Sequence, residues 1–104
     1  MSNQNFLPQV GQLVRIVQGR DSGQFALVVK ILDERFVVLA DGDKRKFDRP
    51  KKKNIHHLEF FDYVSPEVQN SIMETGRVTN SKLRFALLNF VNEHVTDLKK
   101  GELN

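Results

Sequence analysis

Seven basic residues lie between positions 44 and 53: Lys44, Arg45, Lys46, Arg49, Lys51, Lys52 and Lys53. The one acid among them is Asp48. Such a density suits the neutralisation of a polyanion, with release of its condensed counterions. A further cation, Arg20, stands inside the turn sequence Gly19-Arg20-Asp21-Ser22-Gly23. Its five fixed donors match a phosphate or a carboxylate. On charge alone, a lysine run is most often a solvated face, so its meaning depends on what the fold sets beside it.

No catalytic constellation accompanies these groups. The chain has no cysteine, which removes thiol nucleophiles, disulfides and thiolate metal sites. No glycine-rich loop leads into a helix, and no serine stands with a histidine and a carboxylate in a recognisable motif. Asp41 and Asp43 flank a turn glycine and serve the turn. His56 and His57, on an expected strand, would face opposite ways and chelate one ion poorly. His94 has no partner nearby in sequence. The chain is therefore expected to be no enzyme and to carry no cofactor and no metal.

A length of 104 residues allows one small domain, or a smaller one with an appendage, around a modest core. The net charge of +3 is unevenly spread: residues 1–59 hold eleven Lys or Arg against seven Asp or Glu, and residues 60–104 hold five against six. The basic character belongs to the first half. The opening residues lack a basic stretch followed by a long apolar run, and no segment is long enough to span a bilayer. A soluble, cytoplasmic protein with no membrane partner is expected.

The elements that must position the basic groups are short strands. Residues 1–9 are a polar lead-in apart from Phe6 and Leu7. Residues 13–17 form a first strand with blurred alternation, as when one face is buried and the other partly covered; Arg15 must point outward or find a partner. In 25–32, Phe25, Leu27, Val29 and Ile31 share one face, with Ala26, Val28 and Lys30 on the other, which marks the central strand. The 19–23 loop joins these two strands, and its two glycines allow positive φ at both ends. Asp33-Glu34-Arg35 is a turn and 36–40 a third strand. Asp41-Gly42 signals a tight hairpin, with a fourth strand beginning near Lys44 and running through Lys46-Phe47-Asp48. Residues 49–53, containing Pro50, read as a connection rather than a central strand, and a fifth strand falls around 55–60.

Val10-Gly11, the strand Leu13-Val14-Arg15-Ile16-Val17, the Gly19 to Gly23 loop and the apolar strand after it resemble the KOW motif of ribosomal and transcription-elongation proteins. Gly-Arg-Asp-Ser-Gly-Gln-Phe-Ala and the later Asp48-Arg49-Pro50-Lys51-Lys52-Lys53-Asn54 are most similar to the archaeal and eukaryotic type of large-subunit ribosomal protein fourteen, over residues 8–60. Gln24 and Ala26 stand where many KOW motifs carry lysine and glycine, which suits that subgroup. The resemblance implies a small SH3-like barrel whose loop touches RNA, with Arg49, Lys51 and Lys52 against ribosomal RNA. Folded so, Arg20 and the basic run could share one rim. The candidate RNA contacts are then Arg20, Lys44, Arg45, Lys46, Arg49, Lys51, Lys52 and Lys53, with Asn54 and His56 as base or sugar contacts.

After Phe60 the periodicity turns helical. Ser65-Pro66-Glu67 starts a helix over 66–75 and Gly76 ends it. A second helix is expected over 81–97, with Leu83, Ala86, Leu87, Phe90, Val91 and Val95 as an apolar stripe that Phe85 and Leu88 widen and something must cover. The polar tail from Lys99 is expected to fray. Phe60, Phe61 and Tyr63 read as the cuff between barrel and helices in preference to stacking platforms for bases. A DNA-reading helix-turn-helix is disfavoured, because Lys82 and Arg84 are followed by apolar residues and then Glu93 and Asp97. The expected fold is mostly β with a C-terminal α part: a five-stranded SH3-like KOW barrel over 1–60 and a two-helix segment over 61–104. The expected function is non-enzymatic binding of ribosomal RNA or the ribosome. The alternative is a protein-interaction module for a translation or transcription factor, docking through the barrel edge or the helical face.

Overall fold

An apolar strand flanked by two more apolar strands buries both of its faces, and the second strand does so here. In the computed structural model, which describes residues 7–103 and side chains as far as residue 93, the chain forms five strands. They are β1 (Gln12–Ile16), β2 (Phe25–Ile31), β3 (Phe36–Ala40), β4 (Lys51–Asn54) and β5 (Leu58–Val64). All pair antiparallel in the order β4-β3-β2-β1-β5, with β2 at the centre as expected. The register breaks between Gln12 and Val14 and again between Val28 and Lys30. Such bulges bend a sheet. The result is an SH3-like arrangement that is not closed, since β4 and β5 remain its two edges.

Cross-strand partners share a face, so the register sorts the core into two layers. Val14, Ile16, Ala26, Val28, Val37 and Leu39 fill the concave side with Leu58. Leu13, Leu27, Val29 and Ala40 occupy the other side and join Val68, Val78, Leu83, Ala86 and Phe90 from the helices. This double coverage explains the blurred alternation of β1. Arg15, exposed on the face of Leu13 and Phe25, finds its partner across the β1–β5 ladder in Glu59, 2.7 Å away.

The helices are α1 (Pro66–Thr75) and α2 (Asn80–Leu103). Ser65 caps α1 by accepting the Val68 N–H at 3.2 Å, and the Gly76 N–H closes it on the Ile72 carbonyl. Thr79 Oγ1 accepts the Lys82 N–H at the start of α2. Phe90 then sits within 5.2 to 5.9 Å, centroid to centroid, of Phe25, Phe61 and Tyr63. Phe61 and Tyr63 therefore form the cuff, and Phe60 packs on the concave layer. α2 is longer than expected, because Leu98, Lys99 and Lys100 favour helix and no proline stops the chain. Residues 1–6, and the side chains of His94, Val95 and Asp97, lie outside the described residues.

Further expectations are corrected. The fourth strand does not begin near Lys44: residues 41–50 form a loop, and the strand is Lys51–Asn54. Asp41 Oδ1 accepts the N–H groups of Asp43 and Arg45, while the Asp41 and Gly42 N–H groups donate to the Arg45 carbonyl. The Phe47 N–H goes to Asn80 Oδ1 of α2 rather than to a ladder. Only Gly42 has positive φ there, so no two-residue hairpin forms. Pro50 precedes an edge strand, where a missing donor costs little. The fifth strand starts later and runs past Phe60, because Asn54 Oδ1 accepts the His56 N–H and winds Ile55–His57 into a 3₁₀ turn. Finally, Phe85 and Leu88 are not covered; they are 52% and 55% exposed, since the sheet meets only the opposite side of α2.

Candidate nucleic-acid interface

Gly19 and Gly23 have φ of +98° and +95°, a region that other residues rarely enter. The backbone between them folds tightly: the Ser22 N–H reaches the Gly19 carbonyl, the Gln24 N–H the Asp21 carbonyl, and the Gly23 N–H the Ile16 carbonyl. This turns the Asp21 side chain toward β4. Asp21 Oδ2 lies 3.3 Å from Lys51 Nζ and 3.7 Å from Arg45 Nη2. A methyl group built on Gly19 would stand 3.0 Å from Lys53 Nζ. The first loop and the basic strand thus form one surface.

Register divides the three lysines of β4. Lys51 and Lys53 pair with Leu39 and Val37, whose side chains belong to the concave layer, and both face the loop. Lys52 pairs with Val38 on the other face, where its ammonium lies 4.5 Å from the centre of the Phe36 ring. That contact is a cation–π interaction. Lys44, Lys46 and Arg49 line a shallow groove of about 440 Å³ in the 41–50 loop, together with Asp43 and Asp48. Arg20 is exposed on the first loop. The Val17 N–H donates to the His57 carbonyl, which sets the 3₁₀ turn at the root of that loop. His56 is exposed there, and Asn54 Oδ1 of the side-chain amide accepts the His56 N–H at 2.8 Å.

The structure therefore brings Arg45, Lys51 and Lys53 together beside the loop of Arg20, and Lys44, Lys46 and Arg49 around the neighbouring groove. Lys52 sits apart on the opposite face. What sequence reasoning missed is Asp21, assigned there only to the turn. The Lys51 ammonium hydrogen-bonded to it holds its carboxyl below the usual carboxylate value, with Arg45 and Lys53 acting in the same direction. The available signal was that Asp21 is the sole acid in the loop. Arg84 is engaged by the Gly42 carbonyl and by Ser81 Oγ, so α2 does not offer it to a nucleic-acid groove.

A strand, a glycine-bounded loop and a second strand within a bent antiparallel sheet define a KOW-type SH3-like protein, and residues 10–40 match the KOW motif. The chain is 56% identical to the Bacillus subtilis (strain 168) protein named "Putative ribosome-binding protein YbzG", over 71 residues that make up 68% of this chain and 96% of that protein. It belongs to the same family. It is also similar to the large ribosomal subunit protein eL14 of Pyrobaculum calidifontis, 40% identical over 50 residues, or 48% of each chain. The eL14 of Hyperthermus butylicus is 28% identical over 104 residues, covering 91% of this chain and 96% of its own. A match of that span runs beyond residue 60, so the likeness to eL14 reaches into the helices, which share their core with the sheet.

Proposed function

We propose that this chain is a non-enzymatic, cytoplasmic RNA-binding protein that associates with the ribosome. In this reading the barrel, residues 1–60, contacts the backbone of ribosomal RNA through Arg20, Lys44, Arg45, Lys46, Arg49, Lys51, Lys52 and Lys53. Asn54, through its amide, and His56 supply base or sugar contacts. The observation that carries it is the Asp21–Lys51 contact, which joins a KOW loop and a cationic strand into one rim. The names of the relatives support the ribosome as the setting, one being a ribosome-binding protein and two being ribosomal proteins. Phosphate contacts position a protein without reading sequence, so selectivity would come from the shape of the RNA.

Sucrose-gradient sedimentation of a host lysate at low and at high salt tests this. Migration with ribosomes or the large subunit at low salt, lost at high salt, is the expected result, because phosphate-driven binding weakens steeply with salt. A protein that stays at the top of the gradient at both salts would remove the ribosome as its target. A second reading has one observation behind it. Phe85 and Leu88 are exposed on α2, so the helices could instead dock a protein partner such as a translation or transcription factor. Ribosome association that survives high salt would favour that reading.

A further inference from the structure

Three cations converge on one carboxylate where the first loop meets β4. We propose that Arg45, Lys51 and Lys53 form a site for a single RNA backbone phosphate, and that Asp21 is its resident anion, which the phosphate displaces on binding. The proposal rests on the RNA-binding reading and names what regulates affinity at that same rim.

The geometry distinguishes a resident anion from a clamp. A carboxylate that locks a cation in place does so at about 2.7–2.9 Å, with bidentate contacts where arginine is involved. Asp21 Oδ2 approaches Lys51 Nζ at 3.3 Å and Arg45 Nη2 only at 3.7 Å, using one oxygen for both. The side chains of Arg45 and Lys51 keep 43% and 32% of their surface open to solvent. Lys53 lies beside the loop at Gly19 with no ion pair to Asp21 inside 4.0 Å. One negative charge therefore faces three positive ones, and most of their donors are left for another acceptor. A phosphodiester brings the same charge with two unesterified oxygens.

The consequence has a sign opposite to that of a positioning role. If Asp21 organised the cations for RNA, its removal would weaken binding; as a competitor, its removal strengthens it. The test is filter binding of the full chain to purified ribosomal RNA across a salt series. Asp21→Asn and Asp21→Ser are compared with the native chain and with Asp62→Asn, which removes the same charge from an exposed position on β5. Affinity at low salt is expected to rise about two- to fivefold in both Asp21 variants, in the range of one exposed ion-pair contact. The slope of log affinity against log salt should stay close to the native one, because the same phosphate is neutralised in both. The Asp62 variant should gain clearly less. Weaker binding in the Asp21 variants, or a gain no larger than that of Asp62→Asn, overturns the proposal while leaving the RNA-binding reading intact. A native chain that does not bind the RNA at all overturns both, and is recognised because the failure precedes any substitution.

Discussion

Arg84 Nη1 donates a hydrogen bond of 2.7 Å to the carbonyl oxygen of Gly42, forty-two residues earlier in the chain. With the Phe47 N–H on Asn80 Oδ1 at 2.8 Å, it ties the start of α2 to the loop that carries Lys44, Arg45, Lys46 and Arg49. The helix thus holds the basic loop in place although it supplies none of the candidate contacts. Arg84→Ala should cost about 1–2 kcal/mol, the range for a charge-assisted hydrogen bond that is partly solvated. It should also speed amide hydrogen exchange within 42–49. Unchanged exchange in that loop would mean that α2 does not restrain it.

Gly42 and Gly23 both have positive φ but differ in what surrounds them. A Cβ on Gly42 would overlap the Asn80 carbonyl oxygen and stand 3.0 Å from Leu83 Cβ, whereas nothing lies within 4 Å of one on Gly23. Gly23→Ala should therefore cost about 1–2 kcal/mol, for the backbone conformation alone. Gly42→Ala should cost at least about 2 kcal/mol more, because the loop and α2 must also separate. Urea unfolding of the two variants gives the comparison, and equal midpoints would contradict it.

Because Lys51 and Lys53 face the first loop while Lys52 faces Phe36, the three should not contribute alike to RNA binding. Replacing Lys51 and Lys53 with alanine should weaken affinity for ribosomal RNA about tenfold or more at low salt. It should also flatten the salt dependence by about two counterions. Lys52→Ala should have the smaller effect per residue. If loss of Lys52 matched the loss of either neighbour, the RNA would have to reach both faces of the edge strand.

Asp33 Oδ1 accepts the N–H groups of Arg35 and Phe36, each at 2.8 Å, and this holds its carboxyl below the ordinary 3.8. A carboxyl depressed in the folded state contributes stability that is complete above its unfolded value and fades as pH falls through its folded value. Native stability should thus be level above about pH 5 and decline below about pH 4, with Asp21 adding in the same direction. Asp33→Asn keeps an acceptor oxygen but cannot protonate, so its urea midpoint should change less between pH 6 and pH 3. An identical acid decline in that variant would show that the turn carboxylate is not responsible.

What could be seen in advance follows the range of the interaction. β2 and β3, the cap at Ser65 and the stop at Gly76 depend on periodicity and local chemistry, and each lies where the residues put it. β4 was invisible to periodicity, since Lys51-Lys52-Lys53-Asn54 has no apolar residue; it is a strand only because β3 pairs with it. The basic composition was plain, but the division of the lysines between two faces requires the register. The contact of Asp21 with Lys51 spans thirty residues and has no local signature. Phe85 and Leu88 were assigned to the covered stripe of α2, yet the sheet reaches only one side of that helix.

An open sheet leaves two edge strands, and one of them is a strand of three lysines preceded by proline. Consecutive ammonium groups and a proline at an edge repel the approach of a strand from another chain. The same charges that suit a phosphate backbone therefore guard the protein against edge-to-edge aggregation while it is unbound. Alanine at all three lysines would remove the guard along with the cations and leave a short, neutral edge beside Val37 and Leu39. Such a variant would polymerise more readily in storage than the native chain.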